Sequence, residues 1–102
     1  MPGMLELILA ALATAVVDLV LTVAVLGFVA VVQWFLDVQA ELDDDDVAFT
    51  VTRALDTGGY TVYQGIFNQG SDRLGPVRRV DAQRLDPALA RAHAREPLVV
   101  FA

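Results

Sequence analysis

LVLTVAVLGFVAVVQWFL, residues Leu19 to Leu36, is the stretch whose conformation decides the fold. Its 18 residues carry no charge, and only Thr22, Gly27 and Gln33 interrupt the hydrophobes. Extended back to Met4, the run meets Glu6, Thr14 and Asp18 and nothing else polar. As one helix, Met4 to Leu36 would measure about 50 Å at 1.5 Å per residue, against roughly 30 Å of bilayer hydrocarbon. The remainder, Val47 to Ala102, is 56 residues, near the lower limit at which a chain buries enough surface to fold alone. With no core in view to receive such a helix, the pattern predicts a membrane span.

The expected architecture is therefore α+β. It comprises one long N-terminal transmembrane helix with an apolar extension over 1–36, an acidic linker over 37–46, and a small β-β-β-α-β domain over 47–102. Ala13-Thr14-Ala15 has the small residues of a signal-peptide cleavage site. No basic region precedes it, Glu6 stands where one belongs, and a long apolar run follows, so the segment is expected to be retained. Trp34 and Phe35 beside Asp37 read as an interfacial anchor at the end of the span.

Charge is unevenly placed along the 102 residues. Residues 1–36 carry −2, residues 37–46 carry −6, and residues 47–102 carry +2, for a net charge of −6. All seven bases are arginine, and there is no cysteine. This layout argues against a nucleic-acid surface and a polybasic lipid-binding patch, and it excludes disulfides and cysteine-ligated metals. Glu41 to Asp46 reads as a solvated linker, with cation funnelling as another use; it lacks the alternating ligands and glycine turn of a calcium loop. With no arginine or lysine before Arg53, orientation is read from the acidic collar, which favours N-terminus inside and C-terminal domain outside a plasma membrane.

Asp18 is the residue that asks for a role. A carboxylate inside an apolar span is costly unless paired, hydrated or protonated. On a helix, Thr14, Asp18 and Thr22 fall at i, i+4 and i+8, with Ala11 and Ala15 beside them, a small and polar contact face. Three roles fit: carrying a proton or Na⁺, hydrogen-bonding a partner helix, or reaching interfacial water. Sixteen positions separate Asp18 from Trp34, about 24 Å of helix, which places the acid near the opposite interface.

Thr14-Ala-Val-Val-Asp18-Leu-Val-Leu resembles the opening of the single span in the ExbD/TolR proteins, and MotB uses an aspartate in a similar way. The resemblance implies Asp18 as the ion-carrying carboxylate, Thr14 as its neighbour one helical turn away, and a multi-span partner like ExbB, TolQ or MotA. The proline that commonly follows the threonine is Ala15 here, and an apolar lead replaces the usual polar one.

Beyond the linker, Val47, Phe49 and Val51 alternate with polar or small residues as a strand. Asp56-Thr-Gly-Gly59 is a turn, Tyr60 to Phe67 a second strand with a bulge at Gly65, and Val77 to Val80 a third. Asp86-Pro87 caps a short helix from Ala88 to Arg95, and Leu98 to Phe101 is the last strand. His93 reads as a surface residue, and Arg78 and Arg79 as one arginine on each face of a strand. No nucleophile has a base beside it, so no enzyme, cofactor or metal is expected.

Two functions follow as expectations. The first is an ion-driven motor or channel subunit, with Asp18 carrying H⁺ or Na⁺. The second is a non-catalytic accessory subunit docked through the Asp18 face. Both expect a multi-span protein partner, contact with lipid, no nucleic acid, and a homodimer through the C-terminal domain by way of Tyr60, Tyr63, Ile66 and Phe67.

Overall fold

Residues 20–36 do not form one helix. The computed structural model describes residues 3–15, 17, 20–38 and 44–101. Its elements run α1 (Met4–Thr14), β1 (Val20–Leu26), α2 (Phe28–Val38), β2 (Asp46–Ala54), β3 (Tyr60–Asn68), β4 (Arg73–Leu85), α3 (Pro87–Ala92) and β5 (Leu98–Phe101). β1 carries Val20, Thr22, Val23 and Val25. Such β-branched side chains are stiff at χ1 and fit a pleated surface better than a helical turn. Gly27 then separates the strand from α2.

The five strands form one sheet in the order β1-β4-β3-β2-β5. β1 runs parallel to β4, with Thr22 opposite Asp81; every other pair is antiparallel. Parallel strands read as near-continuous hydrophobic runs, which makes β1 look like part of a membrane helix in the sequence. The register of β3 on β4 shifts between Gly65 and Phe67. Gly65 is required there, because a Cβ would stand 2.9 Å from Val77 Cγ2 and 3.0 Å from the Pro76 carbonyl.

Both faces of the sheet are covered by apolar helices. α2 and α3 pack on one face through Val31, Phe35 and Leu89 against Val62, Ile66 and Val80. α1 packs on the other, where Ile8 meets Phe49, Val51 and Phe67, and Met4, Leu5, Ala11 and Leu12 flank it. Ile8, Val31 and Leu89 are wholly buried. Each such side chain contributes roughly 1.5–3 kcal/mol of transfer free energy.

The expected α+β fold with one long N-terminal transmembrane helix is corrected accordingly. Among the described residues no helix is long and apolar enough to cross a membrane. α1 and α2 have 11 residues each, about 16 Å of helix against the roughly 30 Å needed. The single-pass, proton-channel character and the plasma-membrane placement with its N-in, C-out orientation fall with that helix. The difference arises because the 56 C-terminal residues are only part of the core. The apolar N-terminal segments are themselves the missing strand and covering helices.

Candidate functional site

The residues singled out in the sequence do not converge. Asp18 lies outside the described residues. Thr14 is exposed in the last turn of α1, its hydroxyl donating to the Ala11 carbonyl at 3.2 Å. Ala11 is half-buried against the Phe49–Phe67 cluster, and Ala15 is the C-cap of α1. Thr22 stands exposed on β1. Thr14 and Thr22 therefore share no helical stripe, and the expected contact face of Thr14, Thr22, Ala11 and Ala15 is divided between a helix and a strand. Trp34 is half-buried on α2 against the sheet, with the Arg78 guanidinium 5.4 Å from its ring centroid. It works there as a core residue. Tyr60, Tyr63, Ile66 and Phe67 sit on β3, whose two edges are taken by β2 and β4.

Within the core, polar groups are tied to one another. The wholly buried Gln64 donates from Nε2 to the Val31 carbonyl at 2.6 Å and accepts at Oε1 from Arg78 Nε at 2.7 Å. Burial pulls the Arg78 guanidinium below its ordinary value, and Asp37 acts in the opposite direction. Asp86 joins three elements at one end of the sheet. Its Oδ1 accepts from Leu89 N–H, its Oδ2 from Phe28 N–H, and its own N–H donates to the Leu26 carbonyl. These backbone bonds hold its carboxyl below the usual carboxylate range.

His93, expected at the surface, is drawn into the fold. It is half-buried, with Nε2 2.7 Å from Thr50 Oγ1 and Nδ1 2.9 Å from the Glu96 carbonyl. A carbonyl only accepts, so Nδ1 carries the proton, and in the neutral ring Nε2 accepts from Thr50. Thr50 is wholly buried, so this hydroxyl–imidazole pair is closed to a substrate. The spacing of Thr50 and His93 in the sequence gives no sign of the contact, which depends on α3 folding over β2.

On the α1 side, the part of the sheet near the β2–β3 turn stays open. Two shallow cavities lie there: one of about 480 Å³ beside Thr22, Gly59, Asp81 and Gln83, and one of about 270 Å³ beside Arg53, Thr61, Tyr63 and Arg79. At their junction Asp81 accepts from Arg79 Nε at 3.0 Å and Nη2 at 3.2 Å, and from the Thr61 hydroxyl at 3.0 Å. The bond from Arg79 foremost holds Asp81 below the usual carboxylate range, and the same pairing raises Arg79. An aspartate so engaged is a poor proton acceptor at neutral pH. No group of three or more metal-ligating side chains forms among the described residues.

What the surface does offer is an edge. β1 stands at one end of the sheet order, bonded to β4 on one side and to no strand among the described residues on the other. Its seven residues, VLTVAVL, contain no charge and no proline, the devices that blunt exposed edges in other sheets. Val20 is 49% exposed and Val25 38%. β5 is the opposite edge and is only four residues long. No family model, curated protein or solved structure matches the chain.

Proposed function

We propose that the protein is a non-catalytic assembly module that joins a protein complex by strand addition at β1. The observation that carries this reading is the uncharged seven-residue edge, which no strand among the described residues pairs on its outer side. Strand addition draws its affinity from main-chain hydrogen bonds and its selectivity from alternate side chains, here Val20, Thr22 and Ala24. The chemistry elsewhere supports the same reading: Asp81 is ion-paired, Thr50 is buried, and Ser71 is bonded to Asn68 in a turn. An accessory subunit needs no spanning helix, whereas the motor reading needs one.

The test is the size of the species that contains the protein in a gently prepared cell extract. The parent is expected to elute well above its protomer mass, and Ala24→Lys, which sets a charge on the exposed edge, to elute at the protomer mass. Parent and variant both eluting at the protomer mass would contradict the proposal.

A further inference from the structure

Resting on that reading, we infer that the strand added to β1 is β1 of a second copy, antiparallel across a two-fold axis at Val23. The two five-stranded sheets then become one of ten. Centring the axis on Val23 sets Val20 opposite Leu26 and Thr22 opposite Ala24, and it uses all seven residues. Partners in each pair differ by an even number of positions, so each pair falls on one face of the joined sheet. An axis one residue away would leave strand ends unpaired.

The charge distribution leaves β1 as a side on which a second copy can approach. Each chain carries a net charge of −6, so two copies repel unless they meet along a neutral side. β1 has no charge, and behind it Arg79 and Asp81 neutralise each other. Geometry agrees. Pairing β1 with itself is isologous and closes as a dimer, whereas β1 on the short β5 of another copy would be heterologous and propagate. The joined strands would cover Val20 and Val25, two of the exposed large hydrophobics.

The register makes the inference testable with charges, because Thr22 and Ala24 are both exposed and directly opposed side chains stand about 5 Å apart. Sedimentation equilibrium on the full chain at tens of micromolar is expected to give twice the 11.0 kDa protomer mass. T22K/A24K sets lysine against lysine and is expected to give the protomer mass. T22K/A24E sets lysine against glutamate twice and is expected to restore the dimer, more weakly as salt is added. Far-ultraviolet circular dichroism checks that all three keep the same sheet content. A parent that sediments as a monomer, or a T22K/A24K variant that stays dimeric, overturns the inference. A monomeric parent combined with edge-dependent elution in extracts would assign β1 to a different protein's strand, leaving the assembly reading intact while this inference fails.

Discussion

His93 shows how one side chain couples stability to pH. Burial lowers its pKa below the ordinary 6.5, and the bond to the Glu96 carbonyl only partly offsets that. The unfolded chain therefore binds a proton more readily than the folded one as pH falls through about 6.5. The stability His93 contributes is complete above that pH and is lost as pH falls towards its lower folded value. The slope is at most about 1.4 kcal/mol per pH unit for one proton. Urea midpoints measured between pH 7.5 and 5 should fall for the parent and stay flat for His93→Gln. Parallel curves would remove His93 as the cause. Asp81 and Asp86 have lowered carboxyl pKa values, so their contributions are lost below about pH 4, outside that window.

At the scale of elements, α1 docks through one stripe. Ile8 is wholly buried, and its neighbour Leu9 is 46% exposed. Ile8→Ala should cost about 2–5 kcal/mol through lost contacts and a residual cavity, while Leu9→Ala should stay within about 0.5 kcal/mol. Equal effects on the urea midpoint would mean that α1 does not pack on Phe49 and Phe67. The strands, turn and capped helix between Val47 and Phe101 are legible because alternation, Gly58-Gly59 and Asp86-Pro87 are local signals. β4 is longer than its sequence suggests, Arg73–Leu85 against Val77 to Val80, because Gly75 and Pro76 read as loop. The helix ends at Ala92, short of Arg95, where His93 caps it. Residues 4–36 mislead for a physical reason: a short apolar run has the same composition whether it is a buried strand or part of a span. Only the β-branched content of β1 and the glycine after it distinguish the two. The β1 edge was illegible, because an edge is a property of sheet order. Strand order appears only when β1 pairs with β4 across 59 positions, Val20 opposite Arg79.

For the whole molecule, the sheet needs its N-terminal segments. Without α1, Phe49 and Phe67 lose their cover; without α2, Ile66 and Val80 lose theirs. The apolarity that suggests a membrane is thus used on both faces of one sheet, and the outer side of β1 pairs with no strand among the described residues. Sheet order, the β1 edge and the covering of both faces all require residues 20–26 to be a strand parallel to β4. Proton–proton contacts in the isotope-labelled full chain, measured by nuclear magnetic resonance, test this most directly. The predicted result is cross-strand contacts of Leu21 with Val80 and of Thr22 with Asp81. An unbroken series of helical i to i+3 contacts from Leu19 through Leu36 would contradict it.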